Sequence, residues 1–151
     1  MTTRLLALLL VGFALVLAGC GPKAPDKSMI LWEQPAPAIA AALHAKEIGG
    51  LVLQIAPTGS MEPFLTGGDY VVADVKFPFD RIKEGDVLIY KARWRPADAN
   101  VVCHRAAAKS GDEWIMDGIA NAHYETGSDG RMGPAEFRGK VVQVYTKRKK
   151  S

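Results

Sequence analysis

The sequence has few cysteines, a nearly balanced charge and no apolar run of membrane-spanning length. Its only cysteines are Cys20 and Cys103, so at most one internal disulfide is available. The apolar run Leu5–Leu17 has thirteen residues, whereas a helix that spans a bilayer needs about 20. Nineteen lysines and arginines face sixteen aspartates and glutamates, giving a formal charge of +3. This balance is too mild to indicate a nucleic-acid partner.

The N-terminus has the pattern of an export signal. Arg4 precedes the apolar run, and Leu17-Ala18-Gly19-Cys20 follows it at once, as in a secretory leader with a small-residue cleavage site. This ending resembles the lipobox of bacterial lipoproteins. The resemblance implies removal of residues 1–19, a lipid on Cys20, and a location in the bacterial cell envelope, with the domain facing the periplasm or the outside. An uncleaved signal anchor is the alternative, and only then is a disulfide between Cys20 and Cys103 expected.

The rest of the chain is organised as a tether, one folded domain and a basic end. Residues 20–37 begin with Cys20 and contain four prolines, which predicts a flexible tether. Residues 38–146 have the usual size of a single domain. Residues 147–151 are basic, and we expect them to be solvated. Contact of this end with anionic lipid headgroups is the alternative.

Within the domain, the pattern predicts one short helix followed by strands. Residues 38–48 are rich in alanine, place Ile39 and Leu43 four apart, and end at Gly49-Gly50, as a helix with a glycine stop does. Six short apolar or alternating runs follow, separated by glycine, aspartate and proline, which predicts a mostly β, antiparallel fold. The predicted strands are 51–55, 70–75, 86–92, 101–107, 113–116 and 140–146.

Residues 56–65, APTGSMEPFL, place Ser60 in a predicted loop. A serine hydroxyl is a weak nucleophile and needs a neighbouring base to take its proton. His104 lies in a predicted strand, where the backbone would hold it rigidly, and histidine is suited to proton transfer near neutral pH. His44 has no evident partner and is interpreted as a surface residue, while His123 lies in a predicted loop. Ser60 and His104 are therefore the candidate nucleophile and base.

Two other kinds of chemistry were considered for the same residues. Lys109 is an alternative base, but it lies five residues beyond His104, beside a predicted turn. A zinc site made by Cys103, His104 and His123 is disfavoured, because adjacent residues of a strand point to opposite faces. The sequence therefore predicts neither a metal nor a cofactor.

Five sequence blocks follow one another in a characteristic order. They are TGSMEPFLTGGDYVVAD, EGDVLIY, VCHRAAAKSGDEW, DGIAN and FRGKVVQV. Over about Leu53 to Val144, this order resembles the type I signal peptidase family, in its serine–histidine branch. The resemblance implies a signal-peptidase-like antiparallel β fold, Ser60 as nucleophile, His104 as general base, and an oxyanion site formed by the Thr58 hydroxyl and the Ser60 N–H. It also implies exported proteins or peptides as substrates, bound as an added β-strand and cut after small residues.

The same resemblance assigns roles to the residues beside Ser60. Gly59 lets the backbone approach the substrate. Met61 contributes an apolar wall to the substrate site, with an ordinary core position as the alternative. Pro63 is a substrate-binding candidate that stiffens the exit of the loop.

The chain departs from the family pattern after the fifth predicted strand. Where the family has Gly-Asp-x-Asn, this chain reads Gly118-Ile119-Ala120-Asn121. In the histidine branch an acidic residue beyond that asparagine orients the histidine, and Glu125 has the matching spacing. Asp117 and Asp129 are the alternatives for this role, which is to fix the tautomer of the ring and stabilise its charged form.

Two other functions compete with that of an anchored peptidase. One is a catalytically inactive lipoprotein that uses the peptidase fold as a protein-binding module, which the Ile119 substitution favours. The other is the self-cleaving repressor group, which shares the β fold. That group uses a lysine base and carries a DNA-binding segment, and this chain has no basic recognition helix.

Overall fold

The computed structural model describes residues 21–93, 101–121 and 130–150. As the sequence predicts, the fold is mostly β with a single α-helix. In the part of the chain that is described, no helix is long and apolar enough to cross a membrane. In chain order the elements are β1 (Ile30–Leu31), α1 (Pro37–Ile48), β2 (Leu51–Gln54), β3 (Tyr70–Asp74), β4 (Val87–Lys91), β5 (Val101–Ser110), β6 (Glu113–Asp117), β7 (Arg131–Met132) and β8 (Phe137–Tyr145).

The strands form one half-barrel sheet in the order β2-β3-β8-β4-β5-β6-β7. Neighbours along this path are antiparallel, and β1 adds to β8 in parallel. All six predicted strands are confirmed, with their ends shifted by a few residues. The strands that the sequence does not predict are β1 and β7, whose two residues each are too short to produce an alternating pattern.

Helix α1 is confirmed, but the face that carries Ile39 and Leu43 is not the face that packs against the sheet. Gly49 ends the helix with φ of 64°, a left-handed conformation that glycine adopts without strain. Ala41 and Ala45 pack against β3 and β8, whereas Ile39 and Leu43 are exposed. The short alanine side chains allow the helix to lie close to the sheet, so the larger residues are left on the outer face.

Part of the N-terminal segment that the sequence predicts as a flexible tether packs and pairs with the folded domain. Ile30 is buried, and β1 pairs through Ile30 and Leu31 with Val144 and Tyr145. A 3-10 turn at Lys27–Met29 precedes β1. The tether prediction is therefore wrong for this part of residues 20–37. The prolines favour an extended chain, and an extended chain with one buried isoleucine is able to join a sheet as an edge strand.

The core consists of three apolar clusters, one of which lies under the loop that joins β2 and β3. In this cluster Met61, Phe64 and Leu65, all from the loop, pack with the side chains of five strands, including Ile89 and Cys103. A second cluster lies between β4, β5 and β6, and the third joins α1 to the sheet. The loop is thereby fixed to the same core as the strands around it.

Candidate active site

The loop that carries Ser60 is closed at its base by the backbone. The Ile55 N–H donates to the Asp69 carbonyl at 2.8 Å, and the Gly68 N–H donates to the Ile55 carbonyl at 2.9 Å. These bonds extend the β2–β3 pairing, so the loop leaves and re-enters the sheet at one place. Gly59 has φ of 71°, and its carbonyl accepts the Glu62 N–H at 3.0 Å. Ser60 follows this glycine and is partly buried at the start of a tight turn.

A second segment fixes Ser60 from the other side. The Ala120 N–H donates to the Ser60 carbonyl at 2.9 Å. A Cβ added to Gly118 would lie 2.6 Å from that carbonyl oxygen, so only glycine fits there without a shift. Ile119, which departs from the family pattern, packs against the apolar cluster beneath the loop. The segment 118–120 therefore acts as a support for the Ser60 turn.

His104 is brought to Ser60 by strand β5. The distance from Ser60 Oγ to His104 Nε2 is 3.3 Å, and the His104 side chain is buried at 7% relative exposure. A nucleophile and its base lie about 2.6–3.2 Å apart, and often slightly farther before a substrate binds. The predicted pair therefore lies together with near-catalytic geometry, although 44 residues separate the two in sequence.

The far side of the imidazole ring contacts a residue that the sequence analysis did not identify. Tyr90 Oη lies 3.1 Å from His104 Nδ1, and Tyr90 is fully buried. Its position follows from the register of β4 and β5, in which Leu88 pairs with His104 and Tyr90 with Val102. Residues two apart on paired strands share a face of the sheet. The run VLIY is apolar at every position and buried on both faces, so the sequence indicates neither the face on which Tyr90 lies nor the residue of β5 that it meets.

The Thr58 hydroxyl lies beside that of Ser60. Thr58 Oγ1 is 3.4 Å from Ser60 Oγ, and Thr58 is exposed. Its hydroxyl and the Ser60 N–H belong to the same loop, and an oxyanion site needs two donors aimed at one oxygen. The structure thus brings Thr58, Ser60 and His104 together.

Of the three acidic residues predicted as candidates to orient His104, the structure describes Asp117. Glu125, Asp129 and His123 lie outside the described residues. Asp117 is described, and its two carboxylate oxygens accept from Arg105 Nε and Nη2 at 2.8 Å each. Asp117 is therefore the partner of a buried arginine rather than of His104.

The other two titratable residues that were considered lie away from Ser60. Lys109 is exposed on β5 and pairs with Trp114, five residues or about 17 Å along the strand from His104. His44 is half-buried and its Nδ1 lies 3.0 Å from Tyr145 Oη, so the prediction of a surface histidine without a partner is wrong. The described residues contain no group of three or more potential metal ligands.

Cys103 is buried next to His104 but faces the core. It packs in the cluster beneath the loop, and burial raises the pKa of its thiol to about 12. Loss of hydration disfavours the thiolate, so the thiol is neutral near pH 7 and unreactive. Within the part of the chain that is described, it forms no disulfide.

A groove runs past Ser60 between the end of β2 and the start of β5. Its walls are residues 53–56 and 101–104, and its floor includes Met61 and Leu65. The cavity has a volume of about 90 Å³, which is smaller than the ~150 Å³ cavity that accepts a benzene ring. Met61 both lines the groove and belongs to the core, so the two interpretations of this residue are compatible. Pro63 is exposed and does not line the groove.

Arg148 binds the Ser60 loop. The sequence does not predict this contact. The Arg148 guanidinium donates to the carbonyls of Pro63 at 3.2 Å and Phe64 at 3.0 Å. It also forms an ion pair of 2.6 Å with the buried carboxylate of Asp69. The prediction of a solvated basic end is therefore wrong for Arg148. A contact between positions 79 residues apart leaves no local pattern in the sequence.

Comparison of the chain with protein-family models and with curated proteins gives no significant match.

Proposed function

We propose that the protein is a serine endopeptidase of signal-peptidase type, anchored by a lipid on Cys20. The observation that carries this proposal is the placement of Ser60 Oγ, 3.3 Å from His104 Nε2 and 3.4 Å from Thr58 Oγ1. A buried imidazole and a second hydroxyl thus contact Ser60 beside an open groove, and a nucleophilic serine needs a neighbouring base of this kind.

The residues divide the reaction between them. His104 Nε2 takes the Ser60 proton while Oγ attacks the carbonyl carbon of the scissile bond, and Thr58 with the Ser60 N–H stabilises the oxyanion. Collapse of this intermediate breaks the C–N bond, and the leaving amine takes the proton from His104. A water molecule then gives one proton to His104 and attacks the ester carbonyl carbon. The C–O bond to Ser60 breaks, the Ser60 oxygen takes the proton back from His104, and the carboxylic acid is released. Glu125 remains a predicted third member.

The dimensions of the groove support a preference for small side chains. The space between β2 and β5 is about 90 Å³, smaller than the ~150 Å³ cavity that accepts a benzene ring, which favours small side chains over aromatic ones. Backbone on both sides favours an extended peptide that adds to the sheet as a strand. Exported precursor proteins with small residues before the cut are therefore the proposed substrates.

A lipid on Cys20 would hold this groove near a membrane. The carbonyls of Pro22 and Lys23 accept hydrogen bonds from Arg105, so only Gly21 separates Cys20 from residues bonded to the domain. The short connection favours substrates that are cut close to the membrane. Intact-mass measurement tests the anchor: the natural protein should carry a diacylglyceryl mass that a Cys20→Ala variant lacks.

The peptidase activity is tested by treating the protein with a serine-reactive acylating probe and locating the adduct by mass spectrometry. We expect acylation of Ser60 in the wild type, with a rate at least about 10³-fold lower in His104→Ala and no adduct at position 60 in Ser60→Ala. His44→Ala is the matched histidine control and should react like the wild type. A folded wild type that stays unmodified would contradict the proposal and leave the inactive binding module as the better interpretation.

A further inference from the structure

Tyr90 is the described residue that contacts the His104 ring on the side opposite to Ser60. Its hydroxyl oxygen lies 3.1 Å from Nδ1, and its ring is fully buried in the cluster with Leu88, Val102 and Met116. The hydroxyl is therefore held in place by packing rather than by its hydrogen bond alone. In a serine–histidine–aspartate site the carboxylate occupies this position relative to the imidazole.

The bond between Tyr90 and Nδ1 has two possible directions with opposite chemical consequences. A neutral imidazole carries one proton, so a tyrosine that donates to Nδ1 leaves the proton on Nε2. Nε2 then points a hydrogen at Ser60 and is unable to accept the serine proton. If the tyrosine oxygen instead accepts from Nδ1–H, Nε2 presents its lone pair to Ser60 Oγ. Only the second direction makes His104 a base.

We propose that Tyr90 is a positioning residue that accepts the Nδ1 hydrogen of His104 and so fixes the tautomer in which Nε2 is free to take the Ser60 proton. This inference rests on the proposed function, because it assigns a role to Tyr90 only if His104 is the base. In this state the hydroxyl proton of Tyr90 points to a different acceptor. The same bond persists when the ring becomes positively charged, since Nδ1 keeps its hydrogen throughout the reaction.

Among the described residues, hydroxyl groups lie on two sides of the ring. Tyr90 approaches from β4, and the hydroxyls of Ser60 and Thr58 lie on the loop side. The neighbouring charges on β5 and β6, Arg105 and Asp117, are paired with each other.

A pair of tyrosine variants tests the proposal by kinetics. Tyr90→Phe keeps the buried ring and removes only the oxygen, and we expect Ser60 acylation by the probe to slow about tenfold, which corresponds to one hydrogen bond of ordinary strength. Tyr145→Phe is the matched control, because it removes the same kind of bond, from Tyr145 Oη to His44 Nδ1 at 3.0 Å. Equal acylation rates in the wild type and both variants would overturn the proposal.

Nitrogen NMR of the histidine rings tests it without any activity. In the full-length protein at a pH where His104 is neutral, we expect the His104 proton on Nδ1, and in Tyr90→Phe a shift of population towards the Nε2-protonated form. The His44 signals should change in Tyr145→Phe and not in Tyr90→Phe. A wild type with its proton on Nε2 would overturn the role of Tyr90. If Ser60 fails to react with the probe but the tautomer is as expected, the proposed function fails while the tautomer assignment stands.

Discussion

Single residues hold the Ser60 hydroxyl in place from two directions. On one side Gly59 turns the chain with a positive φ, and on the other Gly118 lies against the Ser60 carbonyl. Both positions depend on the absence of a side chain, but for different reasons. Gly59 requires conformational freedom, whereas Gly118 requires space.

Replacing Gly118 by alanine should displace Ser60. The new Cβ would approach the Ser60 carbonyl oxygen to 2.6 Å, a separation that real Cβ atoms essentially never show, so the backbone must move. We expect acylation of Ser60 to fall about 10- to 100-fold, with a loss of about 1–3 kcal/mol in unfolding free energy. The checks are probe kinetics and urea denaturation. Gly21→Ala, at a site with open space, should change neither quantity.

The buried Cys103 thiol should make stability fall at high pH. Its pKa is about 12 in the folded protein and 9.0 ordinarily, so the folded state keeps its proton where the unfolded state loses it. The contribution to stability is complete below pH 9 and declines as pH rises towards 12. Urea denaturation in a Cys20→Ser background should show this decline, and adding Cys103→Ala should make it shallower. Parallel declines in the two proteins would mean that other groups cause it.

At the scale of elements, the loop from Ile55 to Asp69 is held by more than its own turn. Its apolar residues belong to the core, the segment 118–120 supports it, and Arg148 binds its second half. Each contact comes from a different part of the chain. The loop is therefore fixed to the elements around it, as the proposed role of Ser60 as a nucleophile requires.

Loss of the Arg148 side chain should loosen this loop. Arg148→Ala removes two bonds to loop carbonyls and leaves the buried Asp69 carboxylate without its cation. Because Arg148 is partly exposed, solvent screening reduces the effect, and we expect a loss of about 1–3 kcal/mol in unfolding free energy, together with slower acylation of Ser60. Arg138 is exposed, and its hydrogen bonds within the described residues go to the carbonyls of Ala135 and Phe137, near it in sequence. Arg138→Ala should therefore lose less than about 0.5 kcal/mol, and equal losses in the two variants would contradict the role of Arg148.

The helix, the longer strands and the Ser60–His104 pair were predictable because their sequence signals are local. The contacts around the pair have no local signal. Strands such as 70–74 and 87–91 show apolar runs ended by glycine or aspartate, which is a local signal. The Ser60 motif and the histidine on β5 are also local, and the order of blocks relates them. Tyr90 and Arg148 depend on strand register and on long-range packing, and neither of these leaves a pattern within a short stretch of sequence.

At the scale of the whole molecule, the curvature of the sheet brings distant strands to one groove. Strands β2 and β5 are not neighbours in the sheet order, yet their residues line opposite walls of the cavity beside Ser60. A flat sheet would leave them several strand spacings apart, at about 4.8 Å each. The curvature of the half-barrel therefore brings the loop that carries Ser60 close to the strand that carries His104.

The N-terminal segment should contribute to the stability of the whole domain. Ile30 is buried and Leu31, next to it in β1, is exposed, so the two residues form a matched pair. We expect Ile30→Ala to cost about 2–4 kcal/mol in unfolding free energy and Leu31→Ala less than about 1 kcal/mol, as measured by urea denaturation. If both substitutions are neutral, the burial of Ile30 does not contribute to the stability of the domain.

The parallel pairing of β1 with β8 has a mechanical consequence. The pairing continues beyond β1, where the Gln34 N–H donates to the Thr146 carbonyl at 2.8 Å and the Glu33 N–H donates to the Arg148 carbonyl at 3.0 Å. A force that pulls the chain at Gly21 acts first on the hydrogen bonds from Arg105 to the carbonyls of Pro22 and Lys23. Once these have broken, the force acts on the bonds of β1 in shear, so several must break together instead of one after another. The tension is then carried into β8, in the interior of the sheet between β3 and β4, and into Arg148, which binds the Ser60 loop.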